Sequence, residues 1–377
     1  MNHDRTKILS RNLIRYSVDL QPGELLYLEM LGHDTLKLGR EVVTEATLAG
    51  GIPFWFYNDE YIQRRWLLDC KEEQMVEFGK FHLKIMKEAD AYISIRGIDN
   101  RFQLADIPDQ QMDWYKKHYN KPVHMEERVK NTKWCVLRYP NNAMAQLAET
   151  SQEDFEEFFF RVCNLDYSRM SVAMDPLVKL LKRTDRIRIV SPGTDLSFSI
   201  RGIPPVKCDG KNNIPDGEVY TAPVRESING AISFNTPSIY DGILFRDIRL
   251  EFKDGKIVKA SASTNEEKLN HILDTDEGAR YVGEFSIGLN PNIREPMQDA
   301  LFDEKIFGSI HLTPGNCYDE APNGNRSAIH WDMVLIQTEK YGGGEILFDD
   351  NLVRKNGMFV HPELCETLSE GNLLKLA

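Results

Sequence analysis

The chain has 377 residues, 41% hydrophobic and 28% charged, a length at which two cores are expected and a composition that excludes disordered and fibrous classes. Its net charge of −12 argues against a nucleic-acid binder, which would need clustered Lys and Arg to meet phosphate. No apolar stretch reaches membrane-spanning length, and Met1 to Lys7 runs into an amphipathic pattern with no apolar leader, so a cytoplasmic protein is expected.

In chain order, Ile8, Leu9, Leu13 and Ile14 mark a helix over 6–17, and Pro22-Gly23 breaks it before an apolar strand from Leu25 to Met30. Asp34 opens a helix to about Ala49, Gly50-Gly51 ends it, and 52–57 reads as the next strand. The cycle repeats with a helix near 71–88, a strand from Ala91 to Ile95, a helix near 107–119 and a strand from Trp134 to Arg138. Arg64-Arg65-Trp66 reads as an exposed helical face. Helices between apolar strands imply crossover units, hence an α/β domain with a mainly parallel sheet covered on both faces.

Helices follow near 152–164 and 175–183, and then the texture changes. Short alternating strands at 187–190, 196–200 and 247–252 are separated by Gly, Pro and Asp, and Asp254-Gly255 signals a hairpin. The expected second domain is therefore α+β and mostly antiparallel. The boundary is drawn at residue 182, giving domains 1–182 and 183–377. The six cysteines are scattered and lack a CxxC pair, as expected of reduced thiols.

The chemistry-bearing residues lie in the second half. In Ile329-His330-Trp331-Asp332-Met333 the alternation of a strand projects His330 and Asp332 together, with Trp331 and Met333 on the other side. Alone, such a pair reads more readily as a hydrogen-bonded surface pair than as a metal edge. Glu218 in Pro215-Asp216-Gly217-Glu218 and Glu284 in Gly283-Glu284 each sit where a turn opens into a strand, which is also ordinary turn chemistry. Leu301-Phe302-Asp303-Glu304 reads as helix-like and leads to His311, with Tyr318 beyond. Cys317 has no His–Asn partner pattern to make it a nucleophile. Gly342-Gly343-Gly344 lacks the lysine of a phosphate loop and reads as a hairpin turn.

In this order the pieces resemble the aminopeptidase T family of metallo-aminopeptidases, the M29 peptidases. The resemblance covers most of the length: Tyr139-Pro140 with Ala143-Met144-Ala145-Gln146, the run from Asn213 to Val219, Gly283-Glu284, Leu301 to Glu304, His311, Tyr318, His330-x-Asp332, and the tail from Gly343 to Val360. It implies metal ligands at Glu218, Glu284, Glu304, His311, His330 and Asp332 and a catalytic tyrosine at Tyr318. The stretch from Glu304 to His311 is longer than the family pattern.

The resemblance further implies a homodimer acting on peptides with a free N-terminus. Four carboxylates in one site would leave a single divalent ion about two charges short in a low-dielectric interior, which points to two ions. Zinc or cobalt suits such a donor set best, with manganese or magnesium also compatible. Paired ions activate water and polarise the scissile carbonyl, and one of them can hold the substrate α-amine. The alternatives are a non-catalytic metal-binding or assembly protein of this fold, or a dinuclear amidohydrolase acting on non-peptide amides.

Overall fold

The computed structural model describes residues 2–100 and 102–376. The chain forms two compact units. One comprises the residues through Asn164 together with Gly210–Pro215, and the other Leu165–Asp209 with the chain from Asp216 onward.

In the first unit, among the described residues, five strands pair in parallel in the order Ile52–Asn58, Leu25–Leu31, Ala91–Arg96, Lys133–Arg138, Asn213–Ile214. The inner strands are continuous apolar runs because both faces are covered: Leu26 to Met30 and Ala91 to Ile95 are buried throughout. Ile52–Asn58 is an edge and leaves Phe54, Trp55 and Tyr57 exposed. Ile52 donates to Glu24 O, so alternation turns the nitrogen of Pro53 toward the open side, where no ladder donor is required.

Between strands run the helices Leu36–Leu48, Glu60–Asp69 and Glu72–Glu88. The second is capped by Asp59, whose carboxylate accepts from the backbone N–H groups of Tyr61 and Ile62. Arg65 is exposed on it, as expected, but Trp66 turns inward, its ring 4.5 Å from that of Phe78. The helix Asp109–Tyr115 widens into π-type turns over Lys116–Arg128 around Pro122, which has no N–H to give to an α-helical ladder.

Within this unit His124 is buried against aromatic rings, its Nε2 3.1 Å from the Tyr119 hydroxyl. Burial, helped by the nearby Arg128 and Arg96 charges, pushes its pKa down to about 3. The unfolded chain titrates near 6.5, so the stabilisation is complete above that pH and is lost as the pH falls toward 3, by up to ~1.4 kcal/mol per pH unit. Between about pH 7 and about pH 4, the urea midpoint of His124→Gln is therefore expected to fall less than that of the wild type. Parallel falls would show that His124 is not held neutral.

In the second unit, among the described residues, eight strands form one antiparallel sheet, ordered Lys256–Ser261, Arg249–Lys253, Asn229–Ser233, Thr194–Ser199, Arg186–Ser191, Glu345–Phe348, Asn351–Lys355, Met358–Phe359. Asp254 and Gly255 both take positive φ and close the hairpin between the first two. A second, five-stranded antiparallel sheet runs Met333–Ile336, Ser309–Pro314, Val282–Gly288, Glu218–Thr221, Val206–Cys208. Gly342-Gly343-Gly344 is not a hairpin turn: it joins a strand of the small sheet to a strand of the large one.

The division between units falls before the expected 182. The helix predicted near 175–183 runs from Tyr167 to Arg183, capped by Asp166. Its buried face, Met170, Ala173, Met174, Leu177 and Leu181, continues through Pro176, a residue at home near helix starts but interior here. No helix among the described residues is long and apolar enough to cross a membrane.

Candidate metal centre

The small sheet gathers its donors through strand register. Val282–Gly288 is central and buried along its whole length, flanked by Glu218–Thr221 and Ser309–Pro314. Residues directly opposite one another share a face, and the pairs Gly288–Glu218, Ser286–Tyr220, Ser286–His311 and Glu284–Thr313 bring Glu218, Glu284 and His311 onto one side. His311 itself faces Val334, so alternation carries the same side back to Asp332 and His330.

Two placements differ from expectation. His311 is inside a strand, because the helix before it is the single turn Ala300–Asp303. His330 and Asp332 lie in extended chain just ahead of the strand Met333–Ile336, with an isolated bridge from His330 to Gly315. Trp331 points the other way and anchors that segment. Its ring stacks on Tyr240 at 4.8 Å, lies 4.8 Å from Phe245, and donates its N–H to Ser238 Oγ at 2.8 Å.

Five donors converge as two groups that share Glu284: Glu218, Glu284 and His311, and Glu284, His330 and Asp332. Glu284 Oε1 is 3.2 Å from His311 Nε2, and its other oxygen is 3.3 Å from His330 Nε2. Asp332 Oδ1 lies 3.4 Å from His330 Nε2 and accepts the Thr313 hydroxyl at 2.6 Å. His330 Nδ1 is 2.9 Å from Asn316 O; a carbonyl can only accept, so Nδ1 carries a proton, and Nε2 faces the carboxylates.

Glu304 belongs to neither group. It caps the Ala300–Asp303 turn, and its carboxyl meets Lys305 and hydrogen-bonds Asp332. A third group, Cys208, Asp216 and Glu218, lies beside the first, but burial pushes the Cys208 thiol far up, which disfavours the thiolate a metal needs.

The electrostatics are those of a cation trap. Burial opposes charge throughout, yet the carboxylates outweigh it at both histidines: Glu218 and Glu284 raise His311 to about 10, and Asp332 and Glu284 raise His330 to about 10. Against the same burial, His330 and His311 hold Asp332 at about 2 and hydrogen bonds from both keep Glu284 below the ordinary glutamate value. Burial wins at Glu304, which is pushed well up.

Lys305, which sequence reading passes over, is buried with its ammonium 2.8 Å from Glu218 Oε1. In sequence, Asp303-Glu304-Lys305 looks like a solvated charged face, and only its neighbours in space reveal otherwise. Ser286, whose hydroxyl donates to Glu218 Oε2 at 2.9 Å, and Thr313 are likewise ordinary strand residues by sequence.

The donor set fits a divalent cation. His311 Nδ1 is buried without a hydrogen-bond partner among the described residues, although Glu218 Oε2 stands 3.4 Å away. Carboxylates and imidazoles closing on such an atom suit zinc-like ions. A cavity of about 90 Å³ opens beside the centre, its lining including Glu304, His330 and Asp332 together with Ser238, Tyr240 and Gln298.

Tyr318 follows the strand Ser309–Pro314 and is 43% exposed, its ring 4.7 Å from that of His330 and 5.6 Å from that of Tyr220. Desolvation of its hydroxyl, with Glu284 and Asp332 nearby, holds the pKa well above the usual tyrosine value. The phenol keeps its proton and remains a donor.

The profile of the thermophilic metalloprotease family, M29, matches residues 3–359. Aminopeptidase 2 of Geobacillus stearothermophilus is 26% identical over 354 residues, spanning 81% of this chain and 82% of that protein. Aminopeptidase T of Thermus thermophilus is 31% identical over 330 residues, 75% of this chain and 80% of that protein. Among solved structures, wild-type AmpT from Thermus thermophilus has a TM-score of 0.80 at 22% identity, covering 95% of this chain and 99% of that one. The 2,5-dihydroxypyridine dioxygenase from Pseudomonas putida KT2440 shares the fold at a TM-score of 0.63 and 13% identity, over 97% and 99% of the two chains. A fold shared with a dioxygenase leaves the reaction open, but the sequence match does not: this chain belongs to the thermophilic metalloprotease family, the M29 peptidases.

Proposed function

We propose that the chain is a dinuclear metallo-aminopeptidase that releases N-terminal residues from peptides. The observation that carries the reading is Glu284, which offers one oxygen to the His311 side and the other to the His330 side, the disposition of a carboxylate between two cations. Glu218 and His311 would hold one ion, His330 and Asp332 the other, and Glu304, outside both groups here, would join as a further ligand on losing its proton. When bound, the pair, zinc or cobalt by donor type, would supply an activated water and polarise the scissile carbonyl.

The chain's own residues do the rest. Asn316 and Thr313 fix the aim of His330 and Asp332, and Trp331 pins the backbone between them. Tyr318 offers its hydroxyl as donor to the oxygen that gains charge as the carbonyl becomes tetrahedral. The cavity lies against His330 and Asp332, where a free amino terminus would reach an ion held by them, which favours exopeptidase action on unblocked peptides. A homodimer and a cytoplasmic location belong to the same proposal, supported by the uncovered aromatic edge strand Ile52–Asn58 and the scattered cysteines.

The experiment pairs free and N-acetylated versions of the same short peptides, before and after chelation, with aminoacyl anilides and simple amides alongside. Cleavage of free peptides alone, abolished by chelation and restored by Co²⁺ or Zn²⁺, is expected. Equal turnover of blocked peptides would reject exopeptidase action. Full activity in protein confirmed metal-free would reject the metal centre, and preference for non-peptide amides would favour an amidohydrolase.

A further inference from the structure

Lys305 is 1% exposed, and its surroundings are not those of a packing residue. Its ammonium donates to Glu218 Oε1 at 2.8 Å and also meets the Glu304 carboxyl. The remaining Glu218 oxygen takes the Ser286 hydroxyl and points toward the unpartnered Nδ1 of His311. Glu218 thus has one oxygen committed to an internal cation and one left for the centre. Lysine is rarely buried this completely, and here the Glu218 carboxylate compensates it while the Glu304 carboxyl accepts a second contact.

We infer that Lys305 is a positioning residue that acts as a built-in counter-cation, holding Glu218 and Glu304 in place when the centre is metal-free and opposing, by its charge, the entry of divalent ions. The inference rests on the metal-centre reading above. Two consequences follow from one electrostatic fact. Without Lys305 the buried cluster is left with one negative charge uncompensated, so the metal-free protein loses more stability than the loaded one. By the thermodynamic cycle, divalent ions then bind more tightly, because a positive charge a few ångströms away has gone. A lysine that served packing alone would cost both forms equally.

The test compares wild type, Lys305→Met and Lys305→Arg as metal-free and Co²⁺-saturated protein, reading the melting temperature and the Co²⁺ affinity from the ion's visible absorption. Lys305→Met is expected to lose most of its stability in the metal-free form, to gain more on adding Co²⁺ than the wild type does, and to bind the ion about tenfold tighter or more. Lys305→Arg keeps the charge and should behave like the wild type. Equal metal-induced gains in wild type and Lys305→Met, or a smaller gain in the variant, overturn the inference. If Lys305→Met does not fold without metal, recovery on adding Co²⁺ supports it and failure to recover overturns it. A wild type whose melting does not respond to any divalent ion would instead bring down the metal-centre reading itself.

Discussion

Glu284→Gln is expected to drop the bound metal to at most one ion per chain and to lower kcat by about a thousandfold or more, the scale set by removing a group on which the whole centre depends. Glutamine keeps the volume and one carbonyl oxygen, so the buried strand Val282–Gly288 should still form. What disappears is the negative charge that faces both histidines at 3.2 and 3.3 Å. Without it, each imidazole loses a carboxylate that raises its pKa, and the proposed bridge between two ions is lost. Mass spectrometry of the native protein counts the ions directly. Two ions per chain in Glu284→Gln would show that the bridge is elsewhere, even with the family unchanged.

Tyr318→Phe should fail in a different way. Its side chain is partly exposed and packs against the rings of His330 and Tyr220, so fold and metal content are expected to survive. Removing a donor aimed at developing oxyanion charge typically costs about a hundredfold to a thousandfold in kcat, with KM little changed. Steady-state kinetics beside metal analysis separates the cases. Unchanged kcat would remove Tyr318 from the chemistry, and lost metal would recast it as a support for His330.

Much of the first unit was legible because its inner strands are buried on both faces and therefore spelled as apolar runs: Leu25 to Met30 and Ala91 to Ile95 lie within strands Leu25–Leu31 and Ala91–Arg96. The helix Glu60–Asp69 was only glimpsed, because Arg64 and Arg65 mask a sequence whose Leu67 is fully buried. Pro176 hid the first half of the helix Tyr167–Arg183.

In the centre, the i, i+2 spacing of His330 and Asp332 was readable because it is a local property of extended chain. The helix-like appearance of Leu301 to Glu304 obscured the strand that carries His311, since one turn of helix leaves too few residues for a period to show. Lys305 was invisible for a different reason. A buried lysine is spelled like an exposed one, and only Glu218, distant in sequence, gives it away.

Gly288 lies directly across from Glu218, and a Cβ there would stand 2.3 Å from Ile306 O and 2.6 Å from Ser309 Oγ. At Gly283, next to Glu284, it would meet Asn316 O at 2.2 Å. In a survey of every substitution, these two positions would score as harshly as the carboxylates beside them, although neither has a side chain to offer an ion. Their intolerance would record how closely two backbones must approach for the donors to meet, so cellular abundance has to be measured beside activity before a sensitive position here is read as chemistry.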